Sequence, residues 1–231
     1  MSYNKKPSRA RAHAPARPRL NVLIACEESQ AECAAFRELG HQAYSCDIQP
    51  CRPGANPYWH IQADVTPLLA GDTVFKVQAG FLRCVDHWDL IIAHPPCTYL
   101  CKVSIPHMWH DGKIVHERWQ KMQEGREFFF KCLSAQANYI AVENPLPMAM
   151  ARLPRPSFYI QPSWFGVKYT KKTLYWTKNL PPIMPTIEYP NPKCFVTASH
   201  GKYRSRTFPQ VAQAIAKQWS AYILDEYARE F

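Results

Sequence analysis

The sequence predicts an α/β protein: a doubly wound, mostly parallel sheet in a single domain with a small basic appendage. Three observations carry that expectation. Short apolar runs at 21–25 (NVLIA), 90–93 (LIIA) and 139–142 (YIAV) read as strands buried on both faces, the pattern of parallel sheets. Helix-like segments alternate with them, as in strand–helix–strand units. Two of the runs stop dead at prolines, one at His94-Pro95-Pro96-Cys97 and one at Glu143-Asn144-Pro145. Proline offers no ladder donor and fixes its own φ, so those residues leave the sheet at strand carboxyl ends, where ligands bind in open α/β sheets.

Taken in order, residues 1–19 hold six basic residues and no acidic one, and read as a disordered basic tail. The first strand is followed by Ser29-Gln30-Ala31-Glu32, which fits a capping box. The helix it opens carries Ala34, Ala35, Phe36 and Leu39 and stops at Gly40. Residues 42–46 read as a second strand ending at Asp47, and 61–65 as a short third strand with Asp64 at the same edge. An acid just past the second strand of such a unit holds ribose hydroxyls or serves as a turn residue. Residues 117–136 show helical spacing at Trp119, Met122, Phe129, Cys132 and Leu133. Residues 146–163 are proline-rich connection, 164–176 a basic turn entering an aromatic strand, and 210–229 a last amphipathic helix. The expected division is therefore 1–19 tail, 20–160 catalytic α/β core, 161–209 basic proline-rich segment, and 210–231 a helix packing on the core.

Composition narrows the class. The chain has 231 residues, 47% of them hydrophobic and 20% charged, which suits one soluble domain with a full core. No apolar run approaches the roughly 20 residues of a membrane span, and the basic N-terminus has no apolar stretch behind it. Nine scattered cysteines, an odd number with no C-x-x-C, read as free thiols in a reducing cytoplasm. A net charge of +10 suits a polyanionic partner such as DNA, or simply solubility. His107-x-x-His110 followed by His116 matches no common zinc spacing, so no metal is expected.

Cys97 on a stiff loop at a strand end is placed as a nucleophile would be, or merely packs. Glu143 leaves a second strand at the same edge. Burial there would raise its pKa and suit proton donation, unless it forms an ion pair or cap. Lys168, Lys171 and Lys172 among aromatics suit a phosphate backbone and stacked bases, or an exposed hairpin edge kept soluble.

With those pieces in this order, the chain resembles the cytosine-5 DNA methyltransferase family, in particular its small stand-alone phage and prophage members. The resemblance is best over 21–145 and weaker over 160–220. NVLIACEESQ resembles the first strand and cofactor loop, His94-Pro95-Pro96-Cys97 the Pro-Cys nucleophile motif, Val142-Glu143-Asn144-Pro145 the Glu-Asn motif, and 165–176 the basic motif after a Gly-Val turn. The resemblance implies the Rossmann-like class I S-adenosylmethionine-dependent methyltransferase fold, with S-adenosylmethionine as cofactor and DNA as partner, in a cytoplasmic monomer. It implies Cys97, Glu143, Asn144, Lys171 and Lys172 as catalytic residues. It implies Ala25, Cys26, Glu27, Asp47, Ile48, Asp64, His94 and Pro96 around the cofactor. Three features depart from the family pattern: Cys26-Glu27-Glu28-Ser29 stands where glycines are usual, Thr98 follows the nucleophile, and little chain is left for a target-recognition domain. Amino methylation of adenine or cytosine, an inactive DNA-binding module on the same fold, and methylation of RNA or free nucleotides are the rival expectations.

Overall fold

The computed structural model describes residues 18–195 and 207–229. In chain order the elements are β1 (Asn21–Ala25), α1 (Ala31–Glu38), β2 (Gln42–Asp47), β3 (His60–Gln62), α2 (Thr66–Leu69), β4 (Val74–Lys76), β5 (Leu82–Cys84), β6 (Leu90–Ala93), β7 (Trp109–His110), β8 (Lys113–Ile114), α3 (His116–Leu133), β9 (Tyr139–Asn144), β10 (Phe158–Ile160), β11 (Tyr169–Thr170), β12 (Thr173–Lys178), β13 (Lys193–Cys194) and α4 (Pro209–Arg229). Seven strands form one sheet in the order β10-β12-β9-β6-β1-β2-β3. The five from β3 to β9 run parallel, and β12 is antiparallel to both of its neighbours. The chain winds outward from β1 to β3, then returns to the other side of β1 at β6. The gap between the carboxyl ends of β1 and β6 is thus a topological switch point.

Alternation along the strands divides the core into two layers. Leu23, Ile91, Ile140 and Trp176 face α3, whose Met122, Phe129 and Cys132 are buried against them. Val22, Ile24, Ile92 and Tyr175 face the other way, toward Cys33 and Phe36 of α1 and Ile215, Trp219 and Ile223 of α4. Phe129 meets Trp176 edge-on, with centroids 5.0 Å apart. Trp219 is fully buried, and its indole N–H donates to the Pro181 carbonyl at 3.0 Å. Each such side chain contributes about 1.5–3 kcal/mol by leaving water, so both faces of the sheet are firmly covered.

The structure corrects several expectations. No Ser29–Glu32 capping box forms: Gln30 occupies the N-cap position in the left-handed region (φ 59), and Glu32 turns inward, fully buried. Glu27 does the capping instead. The core does not end at residue 160, because β12 lies inside the sheet between β9 and β10. Residues 146–163 contain β10, a three-residue strand too short to show alternation. The stretch 101–116 holds a 3-10 turn over Lys102–Met108 and the β7–β8 hairpin. Most of the basic tail expected at 1–19, and the cluster Lys202, Arg204 and Arg206, lie outside the described residues.

Candidate active site

Two strand ends build the centre of the site. β6 is buried along its whole length, and the His94 N–H still joins the Ala25 carbonyl at 2.9 Å. Pro95 and Pro96 then end the ladder for want of donors. The chain turns at once, with the Leu100 and Cys101 N–H groups both donating to the Cys97 carbonyl at 2.9 and 3.0 Å. β9 runs two residues further than its apolar core, through Glu143 and Asn144. Asn144 is 1% exposed and donates its side-chain amide to the Pro95 carbonyl at 3.0 Å. The loop bearing Cys97 is thereby fastened to the strand bearing Glu143.

The two groups are close enough to feel each other. The Cys97 thiol is pushed well up, first by its hydrogen bond with Cys101, then by burial, by the charge of Cys101, and by Glu143. Cys101 is the partner held below the usual thiol range, by Cys97 and then, against burial, by Ser104, whose hydroxyl is 3.6 Å away. One sulfur of the pair therefore carries the charge more readily than an ordinary cysteine.

Glu143 does not have the raised pKa that burial alone would give. Burial pushes its carboxyl up, but the His94 hydrogen bond, the His94 charge and Lys171 outweigh it and hold the pKa below the ordinary value. His94 Nδ1 lies 3.1 Å from Glu143 Oε2, and His94 Nε2 lies 3.2 Å from Glu32 Oε2. Burial opposes charge on His94, yet Glu32 and Glu143 together raise its pKa well above the ordinary value. Thr207, ahead of α4, reaches Glu32 Oε1 at 3.5 Å. Both ring nitrogens of His94 are thus committed to carboxylates, which leaves neither for a cofactor.

The remaining positions fall into place around this centre. Lys171 sits near Glu143 and takes part in holding it ionised. Lys172 turns outward, its ammonium 4.4 Å from the Tyr159 ring centroid, so the two lysines do not act at one place. Beyond β1, Cys26 has φ 61 and its N–H donates to the Cys46 carbonyl at 2.7 Å, making the turn that glycine usually makes. Glu27 points back at α1, accepting the N–H groups of Glu32 at 2.8 Å and Cys33 at 3.2 Å. Burial and the Glu32 charge raise its pKa to about 7. Asp47 ends β2 and accepts the Gln49 N–H at 2.9 Å, and the next residue, Ile48, is 69% exposed. Asp64, two residues before Thr66 at the start of α2, accepts the Thr66 N–H at 2.9 Å and its hydroxyl at 2.8 Å, bonds that lower its pKa. Ala25 is buried, whereas Pro96 is exposed at the mouth of the loop.

Glu32 is the site residue that sequence reasoning missed. Its signal is the four-residue spacing to Phe36, which puts it on the buried face of α1. Among the described residues no group of three or more His, Cys, Asp or Glu side chains is placed to hold a metal ion, and no helix is long and apolar enough to cross a membrane.

No family model matches this chain, and no curated protein matches it. A solved structure of a prophage-encoded E. coli protein, described as a DNA modification methyltransferase, is similar over 74% of this chain at 16% identity, with a TM-score of 0.41. The chain spans about half of that structure's length, 52% of it. A likeness that weak carries no argument about this protein.

Proposed function

We propose that this chain is an S-adenosylmethionine-dependent methyltransferase acting on carbon 5 of cytosine in DNA, with Cys97 as nucleophile and Glu143 as the acid. One observation carries the reading. Asn144 ties the Cys97 loop to the strand of Glu143 at the carboxyl edge of the sheet, putting a thiol and a carboxyl within electrostatic reach on one rigid support.

The chemistry uses both groups. Carbon 5 of cytosine is a weak nucleophile until Cys97 adds at carbon 6, passing its proton to the Cys101 thiolate as it does so. That addition forms the S–C6 bond and pushes the C5=C6 electron pair toward carbon 5. A proton from Glu143 at ring nitrogen 3 neutralises the charge that develops there. When water takes the carbon 5 proton, the electrons of that C–H bond restore the double bond and the sulfur departs with its pair. S-adenosylmethionine supplies the electrophilic methyl. A base inside a duplex cannot reach a thiol at a sheet edge, so it must be flipped out. Lys171 beside Glu143 and the chain's net charge of +10 suit the approaching phosphates.

The residues present fit the nucleoside half of the cofactor. Asp47 at the end of β2 offers a carboxylate for ribose hydroxyls, and exposed Ile48 offers an apolar face for the adenine. Glu27 serves differently, since its carboxylate already takes the N–H groups that open α1. The cofactor's own carboxylate must find other donors.

The test is mass spectrometry of DNA from cells expressing the protein. The wild type should yield 5-methylcytosine and Cys97→Ala none, while the variant still binds S-adenosylmethionine by calorimetry. A methylated exocyclic amine that survives Cys97→Ala would replace this reading with amino methylation.

A further inference from the structure

We propose that His94, bridged between Glu32 and Glu143, is the internal proton source for Glu143, a positioning residue that acts on the base through that acid. The inference rests on the cytosine-5 reading above, and deepens it.

Each ring nitrogen of His94 faces a carboxylate oxygen, at 3.1 Å and 3.2 Å. Each of those N···O lines needs one proton, because two lone pairs cannot face each other at that distance. A neutral imidazole brings only one N–H. The bridge therefore holds two protons, as an imidazolium between two carboxylates or as an imidazole beside one carboxylic acid. Moving the Nδ1 proton to Glu143 Oε2 converts the first into the second. No proton has to enter from outside.

Burial makes an internal source necessary. The Glu32 side chain is fully buried, and those of His94 and Glu143 are 14% and 16% exposed. A base seated over Glu143 closes what access remains. The neighbouring groups bias the same exchange. Glu27 approaches from the β1–α1 turn, Glu32 from α1, Thr207 from the segment before α4, Lys171 from the turn before β12, Tyr175 from β12 itself beside Glu143, and Cys97 from His94's own loop. Lys171 and the imidazolium keep Glu143 ionised while the site is empty.

The proton count closes over a cycle. As the thiolate adds at carbon 6, the Nδ1–H bond breaks and Glu143 gains the proton. A half-turn of the carboxyl presents it to ring nitrogen 3, where a new N–H bond forms. His94 is left neutral, its Nε2–H still on Glu32, and the Nδ1 line lacks its proton only for the life of the adduct, which favours the proton's return. When the sulfur leaves, ring nitrogen 3 returns the proton to Glu143, and Glu143 returns it to His94.

The test needs no methyl donor. Thiolate addition alone lets carbon 5 take up a deuteron from heavy water, so the C5–H of cytosine should exchange. We would measure that exchange in unmethylated plasmid DNA, against pH, for the wild type, Cys97→Ala, His94→Gln and Glu32→Gln. Wild-type exchange should fall on the alkaline side as His94 loses its proton. His94→Gln should be about 10²–10³-fold slower near pH 8, the usual size of a general-acid contribution, and recover to within tenfold by about pH 5 as solvent protonates Glu143. Glu32→Gln keeps the ring but removes the charge behind it, so the alkaline fall should move to lower pH. It serves as the deciding variant if His94→Gln does not fold. Wild-type profiles in both variants, or a uniform slowing with an unchanged profile, would overturn the proton-source role alone. Absent wild-type exchange, or exchange that persists in Cys97→Ala, would instead sink the cytosine-5 reading and this inference with it.

Discussion

Asn144 Nδ2 donates to the Pro95 carbonyl at 3.0 Å from a side chain that is 1% exposed. This bond fastens the start of the Cys97 loop to β9, where Pro95 and Pro96 supply no backbone donor of their own, while Lys102 and Met148 tie the loop's far end to the segment after β9. Replacing Asn144 by Ala should leave a buried carbonyl unpaired and cost about 1–3 kcal/mol in urea unfolding. Methyl transfer should drop by at least about tenfold, since a shift near 1 Å in a reacting pair is costly. Stability within 0.5 kcal/mol of the wild type would show that the loop is held by something else.

The thiol pair makes a chemical prediction. Cys101 is held below the usual thiol range by Cys97 and Ser104, while Cys97 is pushed above it. At about pH 6–7, iodoacetamide followed by peptide mass spectrometry should find Cys101 modified well before Cys97, because the thiolate is the nucleophile. In Cys101→Ser, the remaining Cys97 should become more reactive above pH 8. Equal labelling of both thiols in the wild type at pH 6 would contradict the pairing.

Glu27 sets a pH dependence of stability. Its folded pKa of about 7 stands above the ordinary 4.5, owing to burial and then to the Glu32 charge. The fold favours the protonated form, so this contribution is full below about pH 4.5 and is lost as pH rises through about 7. Between pH 5 and 8 the wild type should therefore lose on the order of 2–3 kcal/mol more than Glu27→Gln, which has no proton to release. Parallel pH slopes of unfolding free energy for the two proteins would rule this out.

The two carboxylates at the cofactor edge should behave differently. Asp47→Ala should weaken S-adenosylmethionine binding by about 10- to 100-fold in calorimetry, the loss of a charge-assisted pair of hydrogen bonds. Asp64→Ala should leave that affinity within about threefold and instead lower stability by about 0.5–2 kcal/mol, because its carboxylate holds the Thr66 N–H and hydroxyl. The reverse pattern would reassign the two residues.

The sequence is legible where its local signals are strong. The runs at 21–25, 90–93 and 139–142 are strands because four or more consecutive apolar residues leave no face for water, and the prolines at 95, 96 and 145 fix where two of them end. The helical spacing of Met122, Phe129 and Cys132 likewise survives as the buried stripe of α3. β10 was not legible, since three residues beside prolines carry no period. The place of β12 inside the sheet was not legible either, because strand order depends on which edges meet in space.

The chain alone thus determined that a thiol and a carboxyl each leave a buried strand at its carboxyl end; that the two strands are neighbours is a matter of the sheet order. Which side chains surround them was decided by the tertiary structure. Glu32 and His94 are 62 positions apart, and His94 and Glu143 are 49 apart. No local pattern records such distances, and only the packing of α1 on β1 and β2, with β6 and β9 next to them in the sheet, brings the three together. The same packing reversed the pKa inferred for Glu143: burial is visible in an apolar run, but the imidazolium that outweighs it is supplied from elsewhere in the fold.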